Sequence, residues 1–534
     1  MRYLTVVFAF APFVAASQLV WPSKWDEVED LYTMIGGFRR RGFADAITTC
    51  AFGTNIPGRQ NSAEWIRTAF HDAVTHNAKA GTGGIDASIF WELDRPENPG
   101  SAFNNTFGFF SGFHNPRASA SDLVALGVVV ATGACDGPKI PFRAGRIDAN
   151  KAGPPGVPEP QTNLADTLAA FIQAGFSKQD MTAMVACGHA LGGVHSVDFP
   201  DITGIHVDPD NEISVPFQKD VSSFHNGVVT EFLSGKTKNP LVVASNNTLN
   251  SDKRIFSSDH ATMKKLATKA GFNSICADVF TRMIDTVPRK VKLTRVIDAY
   301  DVKPYIDDLS LNSKGNLHFQ GTIRMRITKG SGRNPDDLAV KLVYADRNGK
   351  GKVVVPAKRA NFQLGLSSGI ADQFVSFDFD TTINGKSGIS KFWVQETVPS
   401  TKFTKTHDNQ KTGGYKVDDT ILYQLSQSCL KSDALANGAA PMIVTAMVRD
   451  SYASGPLTLR VVHKVPRQGV AVPQLKTEVF QFKATGKRSN GWVAYQAKAK
   501  VFDQFTTFDI ALGGSSPTAV EFLQSGSMPT TCPS

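Results

Sequence analysis

The stretch Arg67-Thr-Ala-Phe-His71 places a guanidinium and an imidazole four residues apart. On a helix those positions share one face, so both groups project into the same space. A neutral imidazole there can take a proton from a peroxide and return it to the departing oxygen. The guanidinium beside it can stabilise the negative charge that grows as an O–O bond breaks. Taken alone, an Arg/His pair on a helix more often decorates a surface or fills a core.

A second histidine supplies context. His189, in Ala186-Cys-Gly-His189-Ala-Leu-Gly-Gly, lies in an apolar helical stretch where a satisfied core histidine is the default. The alternative is an axial ligand to haem iron, a position imidazole often fills. Such a ligand needs its other ring nitrogen bonded to a carboxylate. Asp252, in Leu249-Asn-Ser-Asp252-Lys, is a candidate.

Five blocks then run in a fixed order: Arg67-x-x-Phe-His71-Asp72; Gly84-Ile-Asp86-Ala-Ser88; Pro141-Phe-Arg-Ala-Gly-Arg146-Ile-Asp148; His189-Ala-Leu-Gly; and Ser251-Asp252. With them, residues 45 to 290 resemble the plant-type haem peroxidase superfamily, closest to its secreted fungal (class II-like) members. The resemblance implies a mostly α-helical domain over residues 18–300 with one haem b per chain. It implies His71 as distal acid–base, Arg67 as charge stabiliser and Phe70 packed over the haem. Asn98 would accept a hydrogen bond from His71 and hold its tautomer. His189 would bind the iron, with Asp252 on its remote nitrogen.

The same resemblance implies one calcium ion at Asp72, Gly84, Asp86 and Ser88, with Thr75 contributing a carbonyl. Oxygen ligands of this kind suit calcium. A second ion in the family begins at a Ser or Thr just after the ligand histidine, and here that residue is Ala190. Relatives that oxidise manganese carry carboxylates where this chain has Gln60, Glu64 and His195, so only one survives. Relatives with a surface Trp for bulky aromatics carry it where this chain has Met184. What remains is hydrogen peroxide and small, phenolic or similar aromatic reductants at the haem edge. Cys50 and Cys135 fall where fungal relatives have a disulfide. Cys187 with Cys276, and Cys429 with Cys532, are then one of the ways to pair the rest.

Helices must position the chemistry. Trp65, Phe70 and Val74 recur near helical spacing within residues 61–80, and Ser177 with Asp180 makes a capping-box start for a helix reaching Val194. Leu123 to Val130 and Ala261 to Lys269 read as helical too. Beyond Pro304 the period changes to two. Leu317, Phe319, Gly321, Ile323, Met325 and Ile327 alternate with polar residues, which predicts a strand with one buried face. Asn348-Gly349 marks a hairpin turn. Strand-like runs follow at 457–465, 480–483 and 491–502. The fold class expected is multidomain: the helical haem domain, then an all-β, sandwich-like region. That region is divided as 301–430 and 441–534, either two domains or one continued, with a seam near Lys431 to Ala440.

The chain of 534 residues carries 57 basic and 48 acidic side chains, net +9. From Asp301 onward there are 29 basic and 19 acidic residues, so the β region is the basic half. That is either a solvated surface or a module for an acidic surface or polymer. Residues 1–17 read as a secretory signal peptide. Asn104 and Asn246 head glycosylation acceptor triplets. Six cysteines suit an exported, disulfide-bonded protein. The expectation is a secreted, extracellular enzyme without a membrane span or nucleic-acid partner, whose β module holds it on wall or matrix. The alternative is a polysaccharide- or matrix-binding protein with a regulatory or vestigial haem domain.

Overall fold

A computed structural model describes residues 19–53, 58–514 and 517–532. The leader sequence read at residues 1–17 lies outside the described residues. Among the described residues no helix is long and apolar enough to cross a membrane.

Among the described residues, eight α-helices of eight or more residues frame the first part: α1 (Asp26–Thr33), α2 (Asn61–Val74), α3 (Ala102–Phe110), α4 (Ala120–Ala134), α5 (Leu164–Gln173), α6 (Lys178–Gly188), α7 (Ser251–Ser258) and α8 (Lys269–Ile284). Local chemistry starts several of them. Ser119 and Asn163 accept N–H bonds as N-caps of α4 and α5. Ser177 and Asp180 form the capping box of α6. The helix α4 is apolar almost all round, and Leu123 to Ala131 are buried, as a central helix requires. Against it α2 packs Trp65, Ile66 and Ala69, and Trp65 meets the rings of Phe43, Phe109 and Phe110.

One expectation for α6 is corrected. The helix ends at Gly188 rather than reaching Val194, and His189 is the residue that caps it. The reason lies just beyond. Gly192 has a positive φ of +77°, and Gly193 to His195 pair as a short strand with Ser214–Pro216. A side chain at Gly193 would come within 2.3 Å of the Val215 carbonyl oxygen.

The β region contains two cores. The first unit holds β1 (Val302–Leu311), β2 (Leu317–Arg326), β3 (Ala339–Ala345), β4 (Val353–Arg359), β5 (Gln373–Ile383), β6 (Lys391–Val398) and β7 (Phe403–His407). β1, β2 and β5 pair in sequence, β4, β3, β6 and β7 form a second layer, and β4 touches β5 to join them. Phe319, Phe377 and Phe379 meet Leu342, Phe392 and Val394 between the layers.

The second unit is a sandwich too. Its strands are β8 (Ala440–Arg449), β9 (Leu457–Arg467), β10 (Val470–Gln481), β11 (Trp492–Val501), β12 (Thr507–Leu512) and β13 (Thr518–Gln524). β8 and β11 pair in one sheet, while β10, β9, β12 and β13 make the other. Here the seam expected near 431–440 is corrected. Ile421–Tyr423 and Cys429–Leu430 already pair with β8, so the change of sheet falls between Lys416 and Ile421, with Leu422 still packed in the first core. The 431–440 stretch is a loop within the second unit, not a linker.

The chain's beginning serves both parts. Gly36–Gly37 pair with Leu366–Ser368 at the edge of the β5 layer. From α1, Glu29 and Asp30 meet Lys303 of β1 at 2.8 and 2.7 Å, and Asp30 meets Arg324 of β2 at 3.1 Å. All four charged groups are buried, and each is paired. Disulfides join Cys50 to Cys135, Cys187 to Cys276 and Cys429 to Cys532. By chain entropy, closing loops of 85 to 103 residues contributes on the order of 4 kcal/mol each.

Candidate functional site

A cavity of about 250 Å³ lies between α2 on one side and the end of α6 with α7 on the other. Arg67, Phe70 and His71 enter it from α2, and His189 and Asp252 from the opposite side. Phe171, Met184, Leu191, Leu241 and Ile255 make its walls largely apolar.

On the α2 side the register does what the four-residue spacing predicts. His71 Nδ1 lies 2.8 Å from Asn98 Oδ1. The Asn98 amide cannot turn over freely, because its Nδ2 donates to the Glu92 carbonyl at 2.9 Å. Its oxygen therefore faces His71, which puts the imidazole proton on Nδ1 and leaves Nε2 as a base. Burial, and next the Arg67 charge, hold the His71 pKa down at about 3, against the opposing Asn98 hydrogen bond. The ring is thus neutral at ordinary pH. Burial also lowers the Arg67 pKa, to about 10, which leaves it cationic. Arg67 is steadied by donating to the Pro99 carbonyl at 3.1 Å and by lying 4.6 Å from the ring centre of Phe103. Phe70 packs against Phe171.

On the opposite side, His189 Nδ1 lies 2.8 Å from Asp252 Oδ2. Phe217 stacks on the imidazole at 4.1 Å between centres with an interplanar angle of 17°. Asn239 donates to the same Asp252 oxygen at 2.7 Å, while its own Oδ1 caps the Leu241 amide. Sequence reasoning missed both Phe217 and Asn239. Asn239-Pro240 is legible as a helix start, but its bond to Asp252 is a tertiary fact with no sequence signal.

The pattern fits a haem. Among the described residues neither His71 Nε2 nor His189 Nε2 has a hydrogen-bond partner, and both rings line the same apolar space. His189 would hold the iron, with Asp252 raising the basicity of the ligand. His71, Arg67 and Phe70 would lie over the other face.

The loop after α2 gathers the residues expected to hold calcium. Asp72 Oδ2 accepts from the amides of Asp86 and Ala87 at 3.0 and 2.7 Å, and its Oδ1 from Ile89 at 3.2 Å. The Ser88 amide donates to Asp86 Oδ1 at 3.0 Å. Thr75 donates its hydroxyl to the Asp72 carbonyl. Gly84, with φ of +98°, passes so near the end of α8 that a Cβ would lie 2.6 Å from the Thr286 carbonyl oxygen. Burial, then the neighbouring Asp86 charge, push the Asp72 pKa up. Among the described residues no three His, Cys, Asp or Glu side chains gather as for a metal. The donors here are two carboxylates, a hydroxyl and backbone carbonyls, a set of the hard oxygen type calcium takes.

The positions compared with the manganese and surface-Trp patterns, the surviving carboxylate Glu64 among them, are all engaged structurally. Gln60 bonds the carbonyls of Cys50 and Val221 and accepts the Gly192 amide. Glu64 is buried against Arg59 at 2.7 Å, and His195 lies 2.6 Å from Glu212. Met184 is buried.

Comparison with known proteins agrees with this geometry. The family model described as Peroxidase matches residues 45–278. L-ascorbate peroxidase 5, peroxisomal, of Arabidopsis thaliana is 30% identical over 233 residues, covering 41% of this chain and 79% of that relative. Manganese peroxidase 2 of Phlebia radiata is 33% identical over 186 residues, 33% of this chain and 44% of the relative. The chain belongs to the plant-type haem peroxidase superfamily, with an additional C-terminal β region. A WSC domain-containing protein of Arthroderma benhamiae is similar over both parts: 36% identical over 480 residues, 88% of this chain. The match spans 62% of that relative's length.

Proposed function

We propose that this protein is a secreted haem peroxidase that reduces hydrogen peroxide and oxidises small phenolic or similar aromatic reductants in one-electron steps. The observation that carries this reading is the pair of histidines facing one apolar cavity, each with Nδ1 committed and, among the described residues, Nε2 without a partner. When bound, haem supplies the redox-active iron of the reaction. His71 Nε2 takes the peroxide proton and returns it to the leaving oxygen, and Asn98 keeps that nitrogen unprotonated beforehand. Arg67 offers a fixed positive charge to the oxygen that becomes negative. His189 and Asp252 orient the proximal side.

Small reductants are favoured because Gln60, Glu64 and His195 are each engaged by other groups, and Met184 is buried. Calcium at Asp72, Gly84, Asp86 and Ser88 would brace the loop that follows α2. Export is supported by the leader read at residues 1–17 and by three disulfides. Asn104 and Asn246 are exposed, as glycan acceptors must be. The basic β region serves as a module that places the enzyme on an acidic wall or matrix polymer. A purely binding protein with a vestigial haem domain is disfavoured, since Arg67, His71 and Asn98 are all present and mutually positioned.

The test is the absorption spectrum of the haem-loaded protein before and after one equivalent of hydrogen peroxide. A Soret band that drops and shifts quickly, then recovers on adding a phenol, is the expected result. A spectrum indifferent to peroxide overturns the assignment.

A further inference from the structure

The first β unit presents an open face whose composition the peroxidase reading does not use. Alternation along β3 and β6 turns Leu342, Phe392 and Val394 inward, and Lys341, Lys391 and Trp393 outward. Cross-strand register places Trp393 beside Val343, and Val343 beside Val354, so an apolar row crosses three strands. Val354 is 54% exposed. Trp393 is braced rather than loose: a Cβ at Gly414 would lie 3.2 Å from its Nε1.

On these strands the outward-facing charges have one sign. Lys391 Nζ and Lys352 Nζ lie 5.0 and 5.9 Å from the Trp393 ring centre. Lys391 sits directly opposite Lys416 on the next strand. Like charges in that position destabilise a sheet, yet no acidic residue occupies an outward position on β3, β6 or the Tyr415–Lys416 strand. Among the described residues, none of Lys341, Lys352, Lys391 and Lys416 forms an ion pair. Like-charged lysines without ion-pair partners therefore stand together beside a flat aromatic platform.

We propose that this face binds a uronate-bearing polysaccharide, with a sugar ring lying on Trp393 and carboxylates paired with Lys352, Lys391 and Lys416. The proposal rests on reading the β region as a targeting module and gives that module its site. An indole offers a flat apolar surface to a sugar's C–H face, and the lysines supply the charge complement. The open face suits an extended polymer rather than a small enclosed ligand. Trp393 is half-buried and packed beside Gly414 rather than projecting freely, so it is not shaped to insert into a membrane. A single platform flanked by Gln395 and Thr406 matches hydroxyl-rich sugar better than a run of stacked bases, which takes successive aromatic rings.

Native affinity electrophoresis of the full-length, haem-loaded protein through gels containing polygalacturonate, neutral dextran or DNA tests this. The wild type should be slowed by polygalacturonate and not by dextran. Trp393→Ala, and separately Lys391→Gln with Lys416→Gln, should weaken the retardation at least about fivefold, the scale of losing a central contact. The lysine double variant should melt no lower than wild type, since it removes a repulsion. Lys476→Gln with Lys483→Gln, an equal charge change in the second unit, should be slowed like wild type. If both Trp393 and lysine variants are slowed as strongly as wild type, this site is overturned while the targeting reading stands. If wild type passes all gels unhindered, both fall. Stronger retardation by DNA than by polygalacturonate overturns the polysaccharide as occupant.

Discussion

The guanidinium of Arg467, in the second β unit, lies 4.7 Å from the ring centre of Trp91, just beyond the loop that holds Asp86 and Ser88. It also lies 4.9 Å from Phe90, and it donates to the Val472 carbonyl at 3.0 and 2.7 Å. Val472 itself is buried in the core of the helical domain. The residue after Trp91 is Glu92, whose carbonyl holds the Asn98 amide that meets His71. Arg467→Ala should remove a cation–π contact worth about 1–2 kcal/mol. The melting temperature should fall by a few degrees and the rate of reaction with peroxide should fall severalfold. A lower melting temperature with an unchanged peroxide rate would show that the contact braces the fold only.

His71→Leu should keep haem bound through His189 while slowing the reaction with peroxide by about 100- to 10,000-fold, the span of a lost general base. Asn98→Leu should cost less, about tenfold, because the base survives with its tautomer no longer held. Stopped-flow absorbance measures both. Equal rates in wild type and His71→Leu would sink the assignment of the base.

Calcium should raise the melting temperature of chelator-stripped protein, and Asp86→Asn should abolish that rise. The loop geometry rests on Asp72 accepting backbone amides, so Asp72→Asn is expected to destabilise with or without the ion. A melting temperature indifferent to calcium would remove the ion from the assignment.

Acid should loosen the first β unit through Glu396. Burial alone would raise its pKa, but hydrogen bonds from His407 and Arg333 outweigh that and hold it at about 2. A carboxyl depressed in the folded state contributes stability above its unfolded pKa and loses it as pH falls toward the folded value. The contribution is therefore complete above about pH 4.5 and lost between there and about pH 2. Melting temperatures from pH 6 downward should fall more steeply for wild type than for Glu396→Gln. Parallel curves would contradict the pairing.

Much of the site was legible because its residues act in local registers. Arg67 and His71 share a helix face, and the capping box of Ser177 marks where α6 begins. The rest was not legible for a physical reason: Phe217 and Asn239 reach the proximal histidine only through tertiary folding. The β strands announced themselves by alternation, as in Leu317–Arg326. The seam was misplaced because a loop rich in Ala, Ser and Gly resembles a linker, while the short strands that preceded it carry too few residues to show a period.

Arg324→Ala should be among the most disruptive substitutions outside the haem cavity. It strips a fully buried cation from Glu29 and Asp30, and breaking such a pair costs about 3–5 kcal/mol. Differential scanning calorimetry would register this. A loss under about 1 kcal/mol would mean that water or rearrangement replaces the pairing.

That same contact decides what kind of tool the molecule is. Because α1 and the Gly36–Gly37 strand are built into the first β unit, and Arg467 grips the distal loop from the second, the haem domain has no leash. If the β face binds as proposed, the chain cannot sweep its cavity through a volume as a tethered enzyme would. On the function proposed, it would stand like a fixed electrode, and peroxide and reductant would have to come to it.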